Sequence, residues 1–163
     1  MVDDSFDRLY REGSQLLHQG QPAEALPLLV KAHKLVPDHV DAGINLGAAY
    51  ILSKRFKRAV EVLEPMREFA ADNPMFWTNL GAAYLGNPVL ARDEDQQKAI
   101  KAFQHALDIN PIAPNVAYNI GLIYRDRKEY DDAKYWFDRA LKADPDDAHA
   151  RQILEKLRGL DKE

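Results

Sequence analysis

Phe76-Trp77-Thr78-Asn79-Leu80-Gly81-Ala82-Ala83-Tyr84 reads as two turns of helix with a deliberate gap in one side. Leu80, Gly81 and Tyr84 share a face at helical spacing. A glycine inside a helix costs about 1 kcal/mol relative to alanine, so its presence there asks for a packing reason. Working outward, the same face recurs. Gly13, Gly47 and Gly81 stand 34 residues apart, and Gly121 follows after 40, which is the same period with six residues inserted. Half of the 8 glycines in 163 residues therefore lie on one register. A period of this size is the signature of a repeat architecture and precedes any other reading of the chain.

The neighbours travel with the glycines. Three residues after them stand Leu16, Tyr50, Tyr84 and Tyr124. Further on comes a register alanine, Ala25, Ala59, Ala99 or Ala133, and four beyond it a large apolar residue, Leu29, Leu63, Phe103 or Phe137. Pro37, Pro111 and Pro145 close three of the units; the second has Ala71 at that slot and Pro74 just after. Each unit reads as two amphipathic helices joined by a polar turn and stopped by proline. Glycine belongs where two such helices approach most closely. Pro27 and Pro65 fall inside second helices and predict a bend or a shifted boundary there.

These slots resemble the tetratricopeptide repeat (TPR), with Leu80-Gly81 and Tyr84, and Ile120-Gly121 and Tyr124, fitting it closely. The resemblance covers 6–39, 40–73, 74–113 (with the insertion) and 114–147, nearly the whole of a single domain spanning 1–163. Glu12, Leu16, Gly43, Met66, Ala71 and Ala117 depart from the usual pattern. It implies an all-α fold, a right-handed superhelical solenoid of four TPR helix-turn-helix pairs. The apolar stripe Ile153, Leu154, Leu157 and Leu160 predicts a C-terminal capping helix over 148–163, begun by Asp146 or Asp147.

Composition narrows the function. There are no cysteines, which excludes disulfides, thiolate nucleophiles and Cys-ligated metals. No apolar run is long enough to span a bilayer, and the acidic start Met1-Val2-Asp3-Asp4 predicts no secretory leader, hence a cytoplasmic protein. The net charge of -4 argues against nucleic acid as a partner. The five histidines share no register, and no catalytic or phosphate-binding motif is present. The expectation is a protein that is not an enzyme, with no cofactor and no metal. Asp93-Glu94-Asp95 reads as an acidic first helical turn rather than a cation site.

The expected site is a concave groove lined by the first helix of each repeat, where the family binds peptide segments. Two residues before each register glycine stand Arg11, Asn45, Asn79 and Asn119. An amide offers both donor and acceptor, so these asparagines suit either a ladder along an extended peptide or bonds between neighbouring helices. Tyr10, Ile44, Ala48, Ala82, Tyr118, Leu122 and Arg125 are expected beside them, with Ser14, Leu17, Ile51, Thr78 and Leu85, giving a mostly apolar floor. Trp77 and Tyr84 are assigned to the core. Some relatives hold carboxylate tails with lysine, arginine and asparagine; here those slots carry Tyr10, Ser14, Met75 and Asn79, and only Asn45 matches, which disfavours that ligand.

The resulting expectation is a protein-protein interaction module, or adaptor, that takes an extended or helical peptide segment of a protein partner. The alternative is a self-assembling scaffold, a homo-oligomer through its groove or terminal helix. Two features stay outside this reading. Lys54-Arg55-Phe56-Lys57-Arg58 and Arg125 to Lys128 make basic turns, read chiefly as solvated charge. Val89 and Leu90 are apolar in the inserted turn and predict a loop that packs or meets a partner.

Overall fold

The computed structural model describes residues 5–160. Among them, helices run α1 Phe6–His18, α2 Pro22–Leu35, α3 Val40–Leu52, α4 Phe56–Leu63, α5 Pro74–Leu85, α6 Asp93–Ile109, α7 Val116–Asp126, α8 Tyr130–Ala143 and α9 Ala148–Leu160. Each packs on the next in sequence, as antiparallel pairs α1–α2, α3–α4, α5–α6 and α7–α8, with α9 laid on α8. This is the all-helical solenoid expected from the period. The acidic start 1–4 and the last residues of the expected cap, 161–163, lie outside the described residues.

The register glycines are the contact points of these pairs. A Cβ on Gly13 would come 2.8 Å from Leu29, one on Gly47 2.7 Å from Leu63, and one on Gly81 2.6 Å from the Phe103 ring. At Gly121 the nearest atoms of Phe137 would be 3.1 Å away. So each glycine admits the large apolar residue of its own repeat, and Leu29, Leu63, Phe103 and Phe137 are all fully buried. The buried clusters run as a chain, one around α2 and α3, one from α3 to α6, and one from α6 to α9. The core is a line rather than a ball.

Two departures from the repeat pattern explain one another. Gly43 stands where the first helix usually carries a large side chain, and Met66 where the second usually carries a small one. Met66 is buried, and a Cβ on Gly43 would overlap its sulfur. The second pair has exchanged which helix supplies the bulk. Pro65 then ends α4 at Leu63, and the chain continues as a 3₁₀ turn over Glu64–Glu68. Pro27, by contrast, sits within α2, which runs unbroken through it to Leu35.

Capping follows local chemistry. Asp147 Oδ1 accepts the Ala150 N–H at 2.9 Å and starts α9. Asn73 Oδ1 accepts from Met75 and Phe76 and starts α5, and His39 Nδ1 accepts from Ala42 to start α3. Asp93, Glu94 and Asp95 form the acidic first turn of α6, with Asp95 bonded back to Arg92.

Candidate functional site: the concave cavity

The first helices of the first three pairs, α1, α3 and α5, lie side by side and in contact. Between them and the loop from α6 to α7 is a cavity of about 470 Å³. α1 contributes Leu17 and His18, and α3 contributes Asn45 and Ala48. α5 brings Pro74, Met75, Thr78 and Asn79, and the loop closes the far side with Asn110, Ala113 and Pro114. Apart from His18, no side chain in this lining carries or can acquire charge at ordinary pH. Met75 is 61 % exposed at the mouth, although large apolar side chains of this kind are usually buried.

Two of the three asparagines meet here. Asn45 Nδ2 donates to Ser14 Oγ at 2.9 Å, and Asn79 Nδ2 donates to the Ile44 carbonyl at 3.4 Å. Each therefore ties its own helix to the first helix of the preceding pair. A primary amide has four hydrogen-bonding sites, so these Nδ2 bonds leave each Oδ1 able to accept. Asn119 makes no comparable side-chain bond among the described residues and does not reach this cavity. Tyr118, its neighbour, lines a separate smaller cleft with Ala117 and Asn115, and its ring meets Phe137 edge-on at 5.7 Å.

Several expected lining residues belong elsewhere. Ile44 is only 3 % exposed and lies in the core, so it presents its carbonyl, not its side chain, at the inter-helix seam. Ala82, Leu85 and Leu122 turn against the core cluster of α6 to α9, and Ile51 against that of α3 to α6. The reason is common to all: a helix in a stack touches both its own partner and its neighbours, which leaves a narrow strip for the groove. Tyr10 stacks on Phe6 at 5.6 Å and meets the His39 ring at a tilt, 5.2 Å between centroids. Arg11 is exposed on the first helix, and Arg125 is spent on Asp126 at 2.7 Å. Trp77 and Tyr84 are half-buried instead of fully buried. The Trp77 indole donates to the Ala71 carbonyl at 2.9 Å. The Tyr84 hydroxyl donates to Glu64 and accepts from Arg67, and burial, then Glu64, pushes its pKa up to about 12.

Sequence reasoning missed the loop contribution of Asn110, Ala113 and Pro114. The signal was present in the two prolines Pro111 and Pro114, each of which opens a turn: the Asn110 carbonyl accepts from the Ala113 N–H at 2.9 Å, and the Ala113 carbonyl from the Val116 N–H at 3.3 Å. In the basic turn at 125–128, Arg127 pairs with Asp93 and with Glu129, and at the start of α4 Arg58 pairs with Glu61. Among the described residues no helix is long and apolar enough to cross a membrane.

Comparison with known proteins agrees with this architecture. Two sequence models described as Tetratricopeptide repeat match residues 16–83 and 89–148. The chain is 29 % identical over 127 residues to the General transcriptional corepressor trfA of Dictyostelium discoideum, covering 77 % of this chain and 9 % of that protein. It is 28 % identical over 138 residues to the Photosystem I assembly protein Ycf3 of Synechococcus sp. (strain CC9902), covering 80 % and 58 %. The chain thus spans less than two thirds of the length of these curated relatives. Among solved structures, MamA from Desulfovibrio magneticus RS-1 superposes with a TM-score of 0.75 at 26 % identity, over 90 % of this chain and 79 % of that one. TTC0263, a thermophilic TPR protein of Thermus thermophilus, shares the fold with a TM-score of 0.77 at 23 % identity, over 94 % and 81 %. Repeats and relatives together support a protein-interaction or scaffold role. By the matches that span its helix pairs, the chain belongs to the tetratricopeptide repeat family.

Proposed function

We propose that this protein is a non-catalytic adaptor whose concave cavity holds an uncharged, apolar stretch of a partner polypeptide. The observation that carries the reading is the cavity lining itself. Leu17, Ala48, Pro74, Met75, Ala113 and Pro114 offer apolar surface, while Asn45 and Asn79 keep acceptor oxygens for main-chain N–H groups. No carboxylate lines the cavity to pair with a basic ligand group, and His18 at its edge is the one lining side chain that could meet an acidic one, so a charged group buried here is costly. A leucine- or phenylalanine-like side chain gains about 1.5–3 kcal/mol from the same burial. Tyr118, Asn119 and Arg11 stand away from the cavity and act, if the ligand is long, as its outer contacts.

The test is selection of a phage-displayed library of linear peptides on the native chain. Recovered sequences are expected to be rich in apolar residues and poor in Asp and Glu, and their binding to be lost in Met75→Glu and in Ala48→Glu. Arg158→Ala, far along α9, should leave binding unchanged. Selected peptides that are predominantly acidic, or that bind both cavity variants as well as the native chain, would sink the reading.

A further inference from the structure

The six inserted residues hold the two most exposed large apolar side chains among the described residues, Val89 at 89 % and Leu90 at 75 %. They are presented by a built turn. Asn87 takes the Val89 N–H on its side chain at 3.1 Å and the Leu90 N–H on its carbonyl at 3.0 Å. Gly86, at φ +60, directs the chain back over the Phe56 ring, and Arg92 anchors the far end to Asp95 at 3.1 Å. Beneath the turn is a cleft of about 860 Å³ with an apolar floor that includes Phe56, Val60 and Leu85 and a wall formed by Leu90. No residue of this cleft lines the concave cavity.

Projection and cleft thus sit side by side on one surface, and the charges around them balance. Lys57, Arg92 and Lys98 face the cleft together with Glu61, Glu64 and Asp95. A two-fold contact applies the same patch to itself, so the patch must be self-complementary, and a projection beside a cleft with charges of both signs around it meets that condition. A patch of one sign would repel its own copy. We propose that this surface is an isologous docking site for a second copy of the chain, each copy's Val89-Leu90 turn entering the cleft of the other. Such a dimer leaves both concave cavities open, so it is independent of peptide binding.

Size-exclusion chromatography with light scattering over a concentration series tests this. The native chain is expected to shift from 18.5 kDa toward twice that mass as concentration rises. Val89→Ser with Leu90→Ser should require at least about tenfold more protein for the same shift, with an unchanged circular dichroism spectrum. Lys57→Glu should weaken the dimer as well, by unbalancing the rim. Met75→Glu, in the concave cavity, should dimerise as the native chain does. A native chain that stays at 18.5 kDa at every concentration overturns the proposal. So does a Val89/Leu90 variant that dimerises unaltered, or a Met75→Glu chain that becomes monomeric, which would place the contact in the groove.

Discussion

Inside each repeat the same joint is built four times, whereas between repeats no two joints are alike. Glycine against Leu29, Leu63, Phe103 or Phe137 closes every pair. Between pairs, α1 meets α3 through Asn45 and Ser14, and α3 meets α5 through Asn79 and the Ile44 carbonyl. At the third junction α5 and α7 scarcely touch. There the link is made by α6 on α7 and by polar contacts at the turn, Arg127 to Asp93 and Gln96. Steric fit tolerates few solutions, because a packed interior is felt to the scale of one methylene. Polar side chains at a half-exposed seam have many, each of modest worth, so the junctions diverge and the site forms where they leave room.

The sharpest way to break the comparison is the second pair, where bulk has changed helices. Met66→Ala is expected to cost about 2–4 kcal/mol in urea unfolding, as a buried methionine leaves a cavity. Gly43→Leu in that background should restore part of the loss, while Gly43→Leu alone destabilises. A double-mutant cycle with no coupling beyond about 0.5 kcal/mol would show that the two residues do not compensate. Next in size is the glycine seam. Gly81→Ala pushes a methyl to 2.6 Å from the buried Phe103 ring, and overpacking of about 1–3 kcal/mol should outweigh the alanine propensity gain. Gly121→Ala, at 3.1 Å, should fall within about 0.5 kcal/mol of native. Equal losses at both sites would mean that the distances do not govern the joint.

The junctions should respond less. Asn45→Ala is expected to lose about 1 kcal/mol with its bond to Ser14, and Asn119→Ala nothing measurable by thermal unfolding. A matching loss at Asn119 would make the asparagines a structural ladder throughout. The smallest effect is one of pH. Burial lowers the pKa of His33, whose Nδ1 has no hydrogen-bond partner among the described residues. A depressed histidine favours the neutral ring when folded, so its contribution is complete above its ordinary value of 6.5 and is lost as pH falls below it. His33→Gln should flatten the decline of Tm on acidification below that point; an unchanged slope would assign the decline to other groups.

The helix pairs were legible because their determinants are local and repeated. Glycine spacing, the alanine and large apolar slots and the closing prolines each act within one repeat, and four copies confirm one another. The candidate site was legible in part. Leu17, Asn45, Ala48, Thr78 and Asn79 follow from counting along the first helices, and all reach the cavity. Ile44, Ala82 and Leu122 were misplaced because a helical wheel shows an apolar face without showing how much of it the neighbouring pair covers. Asn110, Ala113 and Pro114 lie in a connection whose path no periodicity describes.

By itself, then, the sequence determined the repeat, the all-helical class and the residues that close each pair, since these depend on spacings of three, four and 34 residues along one chain. The tertiary structure decided which asparagines engage neighbouring helices and that Met66 fills the space at Gly43. It also decided that Val89 and Leu90 stand exposed beside a cleft instead of packing into it. These depend on how far one pair is set from the next, and that distance is the outcome of many weak contacts in competition, which no single stretch of sequence encodes.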